Sequence, residues 1–335
     1  MDFGYFTMPS HPPERDLREG FEWDLQTARW CDELGFTEAW YGEHHTCSWE
    51  PNPAPDLLIA QALLQTKNIR LGPGGFCLPY HHPAELANRI SMLDHISGGR
   101  FNVDGASGVN REMTRESLEI MLRLWTEEEP FEHKGKFWTV RKPEGIKEQH
   151  LGAHLRPLQR PHPPIGVAGV SKGSETLKLA GERGFMPMSI NLNPTFVASH
   201  WESVEEGAAR VGRTANRSDW RLVREILVAD TEKEALRWSA HGPMGRMMAE
   251  YYIPFMKRAK ILDFLKHDPS VADSDVTPEY CAKHNWVIGT PETVKEKLEE
   301  IYHGVGGFGT LLVYGFDYAD DPGIWHNNLK VLGQK

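Results

Sequence analysis

Short β-rich runs alternate with helix-period segments eight times along the chain, and a chain of 335 residues can build one large barrel. Together these predict an α/β protein, a TIM (β/α)8 barrel carrying insertions. A doubly wound parallel sheet is the architectural alternative.

The units follow in order. Asp2–Phe6 is the first strand. A helix over Glu14–Leu34 places Leu17, Phe21, Leu25, Ala28, Cys31 and Leu34 on one face, and Gly35 stops it. Thr37–Gly42 is the second strand, Asp56–Thr66 a helix, and Ile69–Leu78 the third strand. The helix Pro83–Ser97 stops at Gly98-Gly99 before the fourth strand, Phe101–Asp104. The next helix carries Leu118, Met121, Leu122 and Trp125 at helical spacing. Pro164–Gly169 is the fifth strand, with a helix from about Ser174, and Phe185–Ile190 the sixth. Trp220–Asp230 is the seventh, with a helix from Thr231. A helix with Thr290 as N-cap and Pro291 at its first position precedes the eighth strand, Gly309–Phe316. Residues 1–335 read as a single barrel domain, with insertions at about 126–162 and 241–286 that exceed ordinary loops.

Composition excludes several classes. The net charge is −10 and no extended basic stretch occurs, which argues against a nucleic-acid partner. No apolar run reaches the roughly 18 residues of a membrane span. The opening MDFGYFTMPSHPPER lacks the pattern of a secretory signal, and Cys31, Cys47, Cys77 and Cys281 show no CxxC spacing. Reduced thiols in a cytoplasmic protein are the expectation.

In a barrel of this type the chemistry collects where the strands end. After the second strand comes Tyr41-Gly42-Glu43-His44-His45, two imidazoles and a carboxylate suited to acid–base work. The competing reading is a structural histidine pair. After the third strand comes Gly72-Pro73-Gly74-Gly75-Phe76-Cys77. Such glycines admit either the close approach of a planar ring or a bulge at a barrel corner. After the fifth strand, Gly169-Val170-Ser171-Lys172-Gly173-Ser174 opens a helix, an arrangement that suits a phosphate, or plain N-capping by serine. The GxGxxG string at Gly304–Gly309 precedes a strand, so it is no dinucleotide fingerprint. Neighbouring histidines point to opposite faces of an extended backbone, so no metal is expected.

These residues resemble the bacterial-luciferase-like flavin monooxygenases. The resemblance rests on FGYF, AWYGEHH, GPGGFCLPYHHPAELANRISMLDHISGGRF, NREMTRESLEIMLRLW, PHPPIGVAGVSKGSETLKLAGERG and WVIGTPETVKEKLEEIYHGVGGFGTLLV. It implies a luciferase-like TIM barrel and a two-component monooxygenase. A separate flavin reductase, met transiently or through diffusing flavin, would deliver reduced FMN. With O2, the enzyme would oxygenate a small, largely apolar organic substrate by hydroxylation or Baeyer–Villiger insertion. The resemblance makes His44 the catalytic residue. It makes Gly74 and Gly75 the backing of the flavin ring, where the family often has a non-proline cis peptide, and Val170, Ser171 and Ser174 the phosphate turn. Cys77 and Asn102 join the cofactor candidates. Phe6, Tyr41, Glu43 and Tyr80 are the substrate-binding candidates, with core packing the competing reading for each aromatic. Family habit implies a homodimer. The rivals are a deazaflavin-dependent oxidoreductase on the same barrel and a non-catalytic flavin-binding relative. One departure concerns Gly105–Gly108, which leads almost directly into the next helix where the family usually has a longer segment. A short loop and a stretch absent from the given sequence both fit.

Overall fold

Strands this short and this apolar must be covered on both faces, and closing them into a ring inside a layer of helices achieves it. A computed structural model describes residues 1–104, 111–153, 155–190 and 194–334. In chain order its elements are β1 (Asp2–Thr7), α1 (Leu17–Glu33), β2 (Glu38–Tyr41), α2 (Pro55–Gln65), β3 (Arg70–Pro73), α3 (Pro83–Ile96), β4 (Val103–Asp104) and α4 (Arg111–Thr126). A hairpin, β5 (Phe131–Lys134) and β6 (Thr139–Lys142), precedes β7 (Ile165–Gly169), α5 (Glu175–Arg183), β8 (Met186–Ser189), α6 (Pro194–Arg210) and β9 (Arg221–Arg224). Then come β10 (Ile226–Val228), α7 (Glu232–Trp238), α8 (Pro243–Met247), a π-helical turn at Met248–Tyr252, α9 (Ile253–Arg258) and α10 (Pro278–His284). The chain closes with β11 (Val287–Gly289), α11 (Pro291–Gly304), β12 (Thr310–Tyr314) and α12 (Pro322–Gly333).

Eight strands form one parallel sheet in the order β3-β2-β1-β12-β9-β8-β7-β4. A parallel bridge between Leu71 and Phe101 joins its two ends and completes the barrel. The doubly wound alternative is thereby set aside. Residues in register share a face: Phe6 lies beside Trp40 and Tyr314, and Trp40 beside Gly72. These side chains point inward. A Cβ on Gly166, across the barrel, would come within 3.4 Å of the Trp40 ring. Tyr5 and Tyr41 alternate outward against α1. The barrel floor is polar, with Glu38 accepting from Trp40 Nε1 at 3.0 Å and pairing with Arg221 at 3.1 Å.

Three expectations shift. The seventh strand is not continuous: β9 stays in the barrel, whereas β10 leaves it and pairs in parallel with β11. Asn328 of α12 satisfies the exposed edge of β10, accepting from Val228 N at 2.9 Å and donating to Ile226 O at 3.0 Å. An apolar run cannot reveal such a change of sheet, because both halves are buried. Strand three ends at Pro73, not Leu78. Helix α1 starts later than periodicity suggested; Asp16 caps it, Leu17 is exposed, and the buried face carries Gly20 and Asp24.

That face exists because His11 docks on it. His11 is buried between Asp24 (3.2 Å from Nε2) and Asp317 (2.9 Å from Nδ1). Only an imidazolium donates from both nitrogens. Burial opposes its charge, but the two carboxylates prevail and push its pKa up to about 9. A Cβ on Gly20 would lie 2.8 Å from the His11 ring, which explains a glycine inside a helix. The cluster ties the loop after β1 to the loop after β12. All four cysteines are free thiols.

His11→Gln is expected to lower the unfolding free energy by about 3–5 kcal/mol at neutral pH by leaving buried carboxylates unpaired. The wild-type contribution is complete below the unfolded histidine value near 6.5 and is lost as pH rises through about 9. Urea titrations should therefore show the difference narrowing between about pH 6.5 and about pH 9; a constant difference across that range would refute the ion pair.

Candidate active site at the barrel mouth

The loop after β2 is folded back on itself by its own amides. Asn52 Nδ2 donates to Gly42 O at 2.7 Å, and His44 N to Asn52 O at 2.9 Å. This delivers Glu43 inward and His44 towards the mouth. The Glu43 side chain is fully buried and its carboxylate is already in use. It lies 2.6 Å from His45 Nε2, 3.0 Å from His81 Nε2, and accepts from Cys77 N at 3.1 Å. Burial would raise its pKa, but the bonds from His81 and His45, and the Cys77 amide, hold it below the usual range. Glu43 thus knots the loop after β2 to the loop after β3.

His44 behaves differently. Its side chain retains 35% exposure, and its Nδ1 pairs with Glu50, whose side chain is wholly buried. Burial pulls the His44 pKa down, yet the Glu50 hydrogen bond and the charges of Glu50 and Glu43 raise it overall. With Nδ1 committed to a carboxylate, Nε2 is the nitrogen left for chemistry. Glu50 also accepts from Tyr251 OH at 2.9 Å and Tyr252 OH at 3.3 Å, and Tyr252 OH lies 2.8 Å from Tyr314 OH. Glu50, Tyr251 and Tyr252 escaped the sequence reading. They lie some 200 positions apart, and the tyrosines fall in a stretch read only as an insertion.

Above the barrel floor, the glycines after β3 meet protein. A Cβ on Gly74 would lie 2.9 Å from the Phe6 ring, and Gly75 adopts φ +110°, open to glycine alone at low cost. The expected cis bond is not found there; among the described residues the cis peptide is Arg160-Pro161. Phe6 faces Tyr314 at 6.0 Å between ring centres. Asn102 lies inside the barrel, accepting from Arg70 Nε at 2.8 Å, with no partner for its Nδ2 among the described residues. Tyr41 points away from the barrel axis, and its buried hydroxyl has no partner among the described residues. Tyr80 is exposed and meets His45 edge-on at 4.8 Å. An apolar cavity of about 170 Å³ opens beside this group, lined by Val170, Ile190, Met248, Tyr252, Tyr314 and Phe316. A larger concavity of about 890 Å³ is polar, lined wholly by the first insertion, and shares no residue with the candidates.

The turn after β7 has features that suit an anion. Ser174 caps α5 by accepting from Leu177 N at 3.4 Å, and Gly173 takes φ +65°. The helix dipole and the turn's amides favour negative charge here. Beneath it, His200 is fully buried with Nδ1 2.9 Å from Ser189 Oγ. Its Nε2 faces the Ser171 backbone without an aligned bond, and burial lowers its pKa to about 4, so it stays neutral. A neutral buried N–H aimed at this turn fits an anionic ligand group. The region of Gly105–Gly108 lies outside the described residues.

Comparison with known proteins places this chain in a class. A sequence model described as luciferase-like monooxygenase matches residues 1–307, and the chain belongs to that family. It is thus an oxygenating oxidoreductase. It is 34% identical to 3,6-diketocamphane 1,6-monooxygenase of Pseudomonas putida, covering 100% of this chain and 97% of the relative. That alignment runs over 367 positions against 335 residues, so the relative holds positions this chain lacks. Identity to limonene 1,2-monooxygenase of Rhodococcus erythropolis is 30%, covering 98% and 84%. Among solved structures, it matches the oxygenating constituent of 3,6-diketocamphane monooxygenase from the CAM plasmid of Pseudomonas putida. That protein is a type II Baeyer–Villiger monooxygenase in complex with FMN. The TM-score is 0.93 at 35% identity, covering 100% and 97%.

Glu43→Ala is expected to cost about 2 kcal/mol of stability, because it strips the acceptor from His45, His81 and the Cys77 amide. Urea unfolding measures this; an unchanged midpoint would show that the carboxylate does not hold the two loops together.

Proposed function

We propose that this chain is the oxygenase of a two-component, FMN-dependent monooxygenase that oxygenates a small, largely apolar organic substrate. One observation carries the reading: His44 and the anion turn after β7 both sit at the C-terminal ends of strands in one closed barrel. Of the two oxygenation outcomes, Baeyer–Villiger insertion beside a ketone is favoured by the names of the diketocamphane relatives.

Reduced FMN, when bound, supplies the electrons that activate O2. The protein supplies the rest. Ser171, Ser174 and the α5 dipole would hold the phosphate, joined by Val170, with Lys172 adding positive charge. Gly75 would leave bare backbone on which a ring can rest, whereas the space at Gly74 is taken by Phe6 and Gly74 would back the ring only through its main chain, with Cys77 and Asn102 close by in the chain fold. His44 Nε2 takes or returns a proton at the mouth, a role that contributes on the order of 100-fold or more in such enzymes. The apolar cavity receives the substrate and excludes water, which strengthens every polar interaction at its edge. Phe6 and Tyr80 lie nearest to substrate-binding roles, whereas Tyr41 and Glu43 act from behind the site.

The partner is a flavin reductase, a reading supported by a relative described as an oxygenating constituent. A homodimer is supported by exposed apolar side chains, Leu57 and Leu64 on α2 and Met92 and Ile96 on α3. Cytoplasmic residence is supported by four free thiols. Among the described residues, no helix is long and apolar enough to cross a membrane.

Photoreduced FMN mixed anaerobically with the protein and then with air-saturated buffer should show a near-ultraviolet transient that outlasts free-flavin reoxidation. Reoxidation identical to free flavin would overturn the reading. His44→Ala should retain FMN affinity and lower the yield of oxygenated ketone per flavin oxidised on the order of 100-fold; wild-type yield would remove His44 from its role.

A further inference from the structure

Glu50 is an acceptor-only group with no solvent, and every polar contact it makes comes from a donor. His44 reaches it from the loop after β2, and Tyr251 and Tyr252 from the π-helical turn of the second insertion. Because Tyr252 donates its one proton to Glu50, the Tyr252–Tyr314 contact is fed by Tyr314 as donor. The donors therefore run in one direction, from β12 through the insertion to Glu50. Ring contacts lock the arrangement. Trp49 stacks on Tyr251 with planes 9° apart, and Tyr251 meets Tyr252 edge-on at 5.0 Å. Arg246 of α8 lies over the Trp49 ring at 5.8 Å. A regular α-helix would turn adjacent side chains about 100° apart; here the wider π turn presents both tyrosines to one carboxylate.

We infer that Glu50, Tyr251 and Tyr252 are positioning residues for His44, so that the second insertion sets the proton affinity of the imidazole at the barrel mouth. The inference rests on the reading of His44 as the catalytic residue, but its test does not need flavin. Glu50 fixes the His44 tautomer and opposes loss of its proton. The two phenols spread the carboxylate charge and so temper that hold. The groups facing this cluster are Glu43 from the same loop, Cys47 beside Tyr251, Tyr314 from β12, and Glu225 acting on Tyr314. All four are retained in the variants below, so their influence cancels in the comparison.

The two kinds of substitution must act in opposite directions. Glu50→Gln removes the charge and lowers the His44 pKa by about one unit or more. Tyr251→Phe with Tyr252→Phe leaves the charge undiluted and raises it. Imidazole NMR of the flavin-free full chain, with His44→Ala used to assign the resonance, reads both shifts. A purely structural role predicts no such opposition. The inference is overturned if Glu50→Gln leaves the His44 titration in place, or if the double phenylalanine variant shifts it downward or not at all. Should Glu50→Gln fail to fold, Tyr252→Phe alone decides by the sign of its shift. Turnover of His44→Ala tests the catalytic reading separately, so the failure of one is distinguishable from the failure of the other.

Discussion

A carboxylate taken out of water must be surrounded by donors, and the mouth of this barrel is organised by that requirement. Glu43, Glu50 and Asp317 are all buried there. Each collects donors from segments far apart in sequence. Glu43 draws on the loops after β2 and β3, Glu50 on the second insertion, and Asp317 on His11 and Arg15 from the loop after β1. These knots fix loop geometry where backbone pairing has ended. A scaffold that must hold a reactive group without letting water in gains rigidity from such buried pairs.

The barrel makes this economical in chain. Parallel strands closed into a ring point the same way, so every loop that follows a strand arrives at one rim. The bridge from Leu71 to Phe101 is the last joint in that ring. It brings the glycine turn after β3 within reach of the β2 loop and sets the turn after β7 on the same face. Small residues then make room inside: Gly166 admits the Trp40 ring, and Gly74 admits the Phe6 ring.

Much of this was legible residue by residue. The eight barrel strands, the caps at Thr290 and Ser174, and the histidine at the mouth all follow from periodicity and from local rules. The division of the seventh strand was not legible, because Leu222 and Leu227 are equally buried whichever sheet they join. Leu17 misled the reading of α1, since an apolar residue at the right spacing still lies outside when it is the first residue of the helix. Glu43 looked like a residue facing ligand and proved to be the acceptor for two imidazoles. A polar residue next to a strand end has two destinations, and sequence spacing does not separate them.

By itself, then, the chain's pattern of apolar periods, caps and glycines determined a parallel barrel and put an imidazole and a serine- and glycine-rich turn at strand ends, because those features are set by interactions between near neighbours. Only the tertiary structure decided which carboxylate that imidazole meets. Glu50 meets His44 within one loop, but it is held there by Tyr251 and Tyr252 from a segment some 200 residues away. The energy of these contacts comes from excluding water around a charge, which no local stretch of sequence can do alone.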